Sequence, residues 1–206
     1  MTPINDAIMG LILAGGLSRR MGGGDKGLSR LGEDTILDRI VARMRPQVEA
    51  LFLNANGDPG RLAKLGLPIL ADTLPDFPGP LAGVLAGLDH AAQAGFAEVV
   101  VVPCDAPFLP ADLVARLRGM AGGKGGAVTI SGGRRHPTAA LWPVHLRQAL
   151  RTALVEEDQR RVETILRRQG FIEVEWPVEP FDPFMNVNDP EGLAQARALL
   201  ERWPQA

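Results

Sequence analysis

Four consecutive valines, Val99 to Val102, followed at once by Pro103, Cys104 and Asp105, constrain the fold more than any other stretch of this chain. Successive strand side chains point to opposite faces, so an unbroken β-branched run puts apolar groups on both sides of a sheet. A strand buried on both faces belongs inside a parallel sheet covered by helices on each side. Shorter runs of the same kind recur as "AIMGLIL", "ALFLN", "LPIL" and "GAVTIS". Helical spacings separate them. Ile36, Ile40, Val41 and Met44 follow Asp34 and Thr35, either of which can cap a first turn. Leu81, Leu85 and Leu88 mark a second helix, and Leu113, Leu117 and Met120 a third that Pro110 would open. This βαβα order predicts an α/β fold, a doubly wound and mostly parallel sheet with helices on both faces, Rossmann-like in layout.

Past Arg134 the rhythm loosens. "HPTAALW" and "FIEVEW" read as strands, residues 144–155, 162–168 and 191–202 as helices, and "WPVEPFDPFMNVNDP" as a loop. The 206 residues fit one domain, with a first part of about 1–133 and a subdomain of about 134–206. Hydrophobic residues at 46% are enough for one core, and a net charge of −2 argues against nucleic acid as a partner. Cys104 is the only cysteine, which excludes an internal disulfide and a thiolate zinc cluster and fits a reducing compartment. The start lacks a basic signal region, and no run approaches the roughly 20 apolar residues a membrane span needs. A cytoplasmic protein without membrane contact is expected.

Ligands of open α/β sheets gather at the carboxyl ends of the strands, and three polar loops fall there. The first, within "GLILAGGLSRRMGGGDKGL", carries seven glycines and the cations Arg19, Arg20 and Lys26 in residues 10–28. Bare backbone N–H groups beside cations suit a polyanion such as triphosphate. Gly22 to Gly27 formally satisfies G-x-G-x-x-G but does not directly follow a strand, and Asp25-Lys26-Gly27 breaks the P-loop pattern. The second loop, "ADTLPDFPGPLAG", holds Asp72 and Asp76 and leads through Pro78-Gly79-Pro80 into a helix start. As alternatives, Asp72 serves a ligand or only caps a turn. The third is "PCDAPFLP", which sets the Asp105 carboxylate at the tip of the valine strand. A hard divalent cation takes such an oxygen ligand together with substrate phosphates, whereas a purely structural Asp105 would cap the Pro110 helix or its preceding turn.

Taken in order, "LAGG-x-SRRMGG-x-DKG", "LNAN", "D-x-L-x-D-x-PGPLAG", "PCD-x-PFLP", "HPT-x-AL" and "NVNDPEGL" resemble the molybdenum cofactor guanylyltransferases over nearly the whole chain. That resemblance implies a nucleotidyltransferase fold and the transfer of GMP from GTP to molybdenum-molybdopterin, with release of pyrophosphate. Its GTP site falls on Leu13, Ala14, Gly15, Lys26, Asn54, Asp72 and Asp105, and Asp105 also matches the Mg²⁺ ligand, for which Mn²⁺ is a substitute. Arg19 matches the phosphate-loop arginine, so Arg19, Lys26 and Asp105 form the implied catalytic set, with Asn186 and Asn188 on the pterin side. The first part of the chain would bind GTP and the second the pterin. Handover of the product implies transient contact with a molybdenum-insertion protein and with recipient apo-molybdoenzymes.

Two rivals stand beside this reading. One is a different nucleotidyltransferase, of the cytidylyl branch acting on molybdopterin or of the sugar- or polyol-phosphate type. The doubled Gly15-Gly16 favours the guanylyl branch. The other is a nucleotide sensor without turnover, which has no need of an acid at the strand tip. Arg135 and His136, read as lying just before a strand, are open to a substrate phosphate or to a plain surface role, and so are Arg160 and Arg161. Trp142, Trp176 and Trp203 are expected in the core or at its rim, and His90 and His145 are read as structural.

Overall fold

The computed structural model describes residues 5–14, 26–74, 79–123 and 125–204. In chain order it builds β1 (Asn5–Leu13), β2 (Arg30–Leu31), β3 (Asp34–Thr35), α1 (Ile36–Met44), β4 (Ala50–Asn54), β5 (Ile69–Leu70), α2 (Pro80–Ala94) and β6 (Phe96–Pro103). There follow α3 (Leu113–Ala121), β7 (Ala127–Ser131), β8 (Arg134–Pro143), α4 (Arg147–Val155), α5 (Val162–Arg168), β9 (Ile172–Trp176) and α6 (Pro190–Arg202). Seven strands form one sheet in the order β5-β4-β1-β6-β8-β7-β9, and β2 and β3 make a separate small hairpin. The pairs β5/β4, β4/β1, β1/β6 and β7/β9 are parallel, while β8 runs against both β6 and β7. The sheet is therefore mostly parallel, with one reversed strand near its middle.

The valine run behaves as its chemistry dictates. Val99 and Val101 pack under α2, α4 and α5, while Val100 and Val102 pack under α1 and α3, and all four are fully buried. On β1, Ile8 and Ile12 face the second layer and Met9, Leu11 and Leu13 the first. Helices thus cover both faces, and the sheet continues without a break across residue 133.

α1 starts in a full capping box: Asp38 N–H donates to Thr35 Oγ1, and Thr35 N–H donates to the Asp38 carboxylate at 2.9 Å. α2 is buried from Leu81 to Leu88 because Gly83 and Gly87 let it lie directly on β4 and β1. A Cβ on Gly87 would sit 2.5 Å from Leu11 Cδ2, so a larger residue there requires the Leu11 side chain to move.

Three expectations need correction. The third helix begins at Leu113 rather than Pro110, because Pro110 to Asp112 are taken up by a turn. Met120 is 56% exposed, and the buried face comprises Leu113, Val114, Leu117 and Ala121. The helix expected from residue 144 opens as a tight 3-10 turn, Val144–Leu146, and is α-helical only from Arg147.

Candidate active site at the carboxyl edge of the sheet

β1, β4, β5 and β6 all run the same way, so Leu13, Asn54, Leu70 and Pro103 end at one edge. Backbone bonds carry the pairing past the strand ends. Ala14 N–H donates to the Asn54 carbonyl at 2.8 Å, Cys104 N–H to the Leu13 carbonyl at 3.2 Å, and Ala55 N–H to the Leu70 carbonyl at 3.1 Å. Leu13, Ala14, Asn54 and the start of the Asp105 loop therefore share one rigid ledge. Arg19 and Gly15 lie outside the described residues, and Lys26 is described by its backbone alone.

The Asn54 side chain is buried under α2, and a Cβ on Gly83 would sit only 2.2 Å from its Oδ1. Its amide donates to the Leu70 carbonyl at 3.1 Å and to Asp72 Oδ1 at 2.8 Å. Asn56 takes the other oxygen: its amide donates to Asp72 Oδ2 at 2.7 Å, and Asp72 N–H donates back to Asn56 Oδ1 at 2.9 Å. Both Asp72 oxygens are held by side-chain amides, with no backbone turn capped by them among these bonds. Two neutral amides orient a carboxylate without cancelling its charge, which leaves Asp72 an anionic acceptor for ligand N–H or O–H groups. Asn56 joins this cluster although its residue type alone does not mark it; the "LNAN" spacing, which repeats asparagine two residues on, is the available signal.

Asp105 is half-buried, and the N-cap position of the third helix is Asp112. Its carbonyl accepts the Val187 N–H at 2.7 Å, which brings the "NVN" segment against the tip of β6. Val187 is fully buried, Asn186 is exposed and Asn188 half-exposed. From the other side arrives the end of the glycine-rich stretch. Gly27 sits in a short 3-10 helix, Lys26–Leu28, where a Cβ would meet Leu37 Cγ at 2.5 Å and the Cys104 carbonyl at 3.4 Å. The segments carrying Lys26, Asp105 and Asn186–Asn188 thus meet around one strand tip.

Arg135 and His136 lie within β8 rather than before it, and they diverge as strand neighbours must. Arg135 pairs with Glu163 and Glu173, which commits it away from this edge. His136 turns inward, 8% exposed, with Nε2 2.7 Å from Ser131 Oγ. Burial holds its pKa below the ordinary histidine value; the Asp182 carboxylate opposes that shift, and Arg134 reinforces it. Arg160 pairs with Asp158, and Arg161 is exposed. Trp142 is buried edge-on against Phe171, and Trp176 donates its indole N–H to Asp112. His90 lies tilted against Phe52, with ring centroids 4.5 Å apart. An apolar pocket of about 320 Å³, lined by Phe108, Trp176, Phe181 and Trp203 among others, lies behind the Pro-rich segment, and none of Asn54, Asp72 or Asp105 lines it.

Residues 10–172 match the family model of the MobA-like NTP transferase domain. A protein of Mesorhizobium japonicum named molybdenum cofactor guanylyltransferase is 52% identical over 200 residues, 94% of this chain and 96% of its own length. The chain belongs to this family. The transferase also shares its fold with a molybdopterin-guanine dinucleotide biosynthesis protein A of Archaeoglobus fulgidus, with a TM-score of 0.71 at 22% identity over 94% of this chain and 99% of that one. A 2-C-methyl-D-erythritol 4-phosphate cytidylyltransferase of Thermus thermophilus matches with a TM-score of 0.64 at 20% identity, covering 93% and 98% of the two chains. At such identities the likeness concerns the fold, which serves more than one nucleotide.

The transferase is a nucleotidyltransferase enzyme, a class for which a divalent metal is generally expected. Among the described residues, no three His, Cys, Asp or Glu side chains are grouped to hold a metal by themselves. A lone carboxylate suits a cation that completes its shell with phosphate oxygens and water, as Mg²⁺ does, and not one that needs a nitrogen or sulfur cage. No described helix is long and apolar enough to cross a membrane.

Proposed function

We propose that this enzyme transfers GMP from GTP to molybdenum-molybdopterin, yielding the guanine dinucleotide form of the cofactor and pyrophosphate. The observation that carries the reading is the Val187–Asp105 backbone bond, which joins the segment assigned to the pterin to the loop assigned to the metal. A transferase must hold two anionic substrates within reach of each other, and most of its advantage comes from fixed position and compensating charge. The 52% identity to a guanylyltransferase favours GTP over CTP.

In this reading the ledge of Leu13, Ala14 and Gly15, with Asn54 and Asp72, binds the guanosine. Fixed backbone N–H and carbonyl groups on the ledge discriminate base edges, and the anchored Asp72 carboxylate accepts from the guanine N–H groups or a ribose hydroxyl. Arg19 and Lys26 hold the β- and γ-phosphates, the arginine as a two-pronged donor and the lysine as a point charge, and stabilise the departing pyrophosphate. Asp105 would hold Mg²⁺, which supplies charge neutralisation at the α-phosphate. Asn186 and Asn188 orient the pterin so that a terminal phosphate oxygen attacks the α-phosphorus in line. That oxygen is already anionic, so no side chain need remove a proton. Residues of about 1–133 serve the nucleotide and about 134–206 the pterin. A cytoplasmic enzyme of this kind hands its product on through transient contacts with a molybdenum-insertion protein and apo-molybdoenzymes.

The test supplies purified enzyme with molybdenum-molybdopterin, Mg²⁺ and either GTP or CTP, and follows pyrophosphate together with the mass of the pterin product. Pyrophosphate and a GMP-pterin adduct from GTP support the assignment. Faster transfer from CTP, or none from either nucleotide, overturns it.

A further inference from the structure

A buried chain of polar groups ties the Pro-rich segment to the sheet. Ser131 Oγ donates to Asp182 Oδ1 at 2.7 Å, and the same oxygen accepts the Phe184 N–H at 2.9 Å. Because the serine proton is spent on a carboxylate, Ser131 can only accept from His136, so His136 carries its proton on Nε2. This order is the reverse of a nucleophilic triad, in which the imidazole would take the serine proton. Ser131 is also only 1% exposed, beyond reach of a substrate. The assembly is thus a tether and not a reacting site. Phe184 extends it, stacked on His136 with centroids 4.9 Å apart and edge-on to Trp176 at 5.4 Å.

We infer that Asp182, Ser131 and His136 are positioning residues for the acceptor substrate, a claim that rests on the transfer reading above. They fix the segment at Asp182 and Phe184, and the Val187–Asp105 bond fixes it again three residues on. Asn186 lies between these two anchors and Asn188 just past the second. With the first anchor gone, the two asparagines lose their setting relative to Asp105, while Asn54 and Asp72 on the far side of β1 keep theirs. The tether therefore governs affinity for the pterin and leaves affinity for GTP alone.

The experiment compares Ser131→Ala and His136→Phe, which keeps the ring stack but removes the N–H donor, with the conservative Asp182→Asn, which retains Oδ1 as acceptor. Loss of the buried bond is expected to raise KM for the pterin about tenfold, with KM for GTP within about twofold of wild type. Asp182→Asn should stay within about threefold on both. Hydrogen exchange at residues 181–189, measured without substrates, should quicken in Ser131→Ala and His136→Phe and stay slow in Asp182→Asn. An unchanged pterin KM, or equal rises in both KM values, overturns the inference when the wild type transfers GMP. If the wild type transfers none, the transfer reading fails separately, and unaltered exchange in Ser131→Ala then overturns the tether by itself. Should Ser131→Ala not fold, Asp182→Ala, which removes the acceptor of both Ser131 and Phe184, decides on the same terms.

Discussion

Gly83 and Asn54 approach so closely that the helix backbone itself forms one wall of the Asn54 amide, with only 2.2 Å between a notional Cβ and Oδ1. The contact makes α2 part of the ledge proposed for the nucleotide, because the same amide holds Asp72. Gly83→Ala should push Asn54 aside, destabilise the fold by about 1–3 kcal/mol through overpacking and raise KM for GTP about tenfold. Thermal unfolding and steady-state kinetics check both. An unchanged KM would mean that Asp72 does not depend on Asn54.

The Asp105 backbone has a task that does not depend on its side chain. The carbonyl that receives Val187 survives truncation, so Asp105→Ala should retain the fold and the docked "NVN" segment. If the carboxylate holds the metal, turnover should drop by about 10³-fold, a loss of several kcal/mol in the transition state. Near-normal pyrophosphate release from a protein with a wild-type circular dichroism spectrum would remove Asp105 from the chemistry.

His136 supplies a pH dependence of stability. Its pKa is lowered in the folded protein by burial, so the unfolded chain binds the proton more readily. The contribution is fully present above the unfolded value of about 6.5 and is lost as pH falls from there through the folded value. The wild-type Tm should accordingly fall more steeply below about pH 6.5 than that of His136→Gln, which has no ionisable ring. Parallel Tm curves for the two proteins between pH 5 and 7.5 would contradict this.

Thr35→Ala removes the capping box of α1 without touching the site. The expected cost is about 1 kcal/mol in urea unfolding, with kcat within about twofold of wild type. A larger kinetic effect would show that Leu37, which packs against Gly27, transmits the loss to the phosphate-side turn.

The two-sided strand at Val99–Val102 and the cap at Thr35 were readable because burial and capping are local demands that residue type meets directly. The direction of β8 was not, since an apolar run buried on both faces looks alike whichever way it points. Met120 fits the helical spacing yet faces solvent, because periodicity fixes a stripe and not where the covering neighbour ends. At the site, Asp72 and Asp105 stood out as acids following strands, whereas Asn56 reads as an ordinary loop residue until its two bonds to Asp72 are seen. The Ser131–Asp182 bond spans 51 residues and has no counterpart in any short motif. Arg19 and Gly15, which carry much of the phosphate and base reading, lie outside the described residues and rest on the resemblance.

The reversed strand has an architectural consequence. β7 reaches the functional rim at Ser131, and β8 departs from that rim after only Gly132 and Gly133, both at positive φ as a tight two-residue hairpin requires. The β7–β8 side of the rim is thereby made from neighbours in sequence, while the β1–β4–β6 side is assembled by long helical crossovers. Insertions or exchanges in that small hairpin can therefore be accommodated without disturbing the crossovers, so the two halves of the rim are free to vary independently.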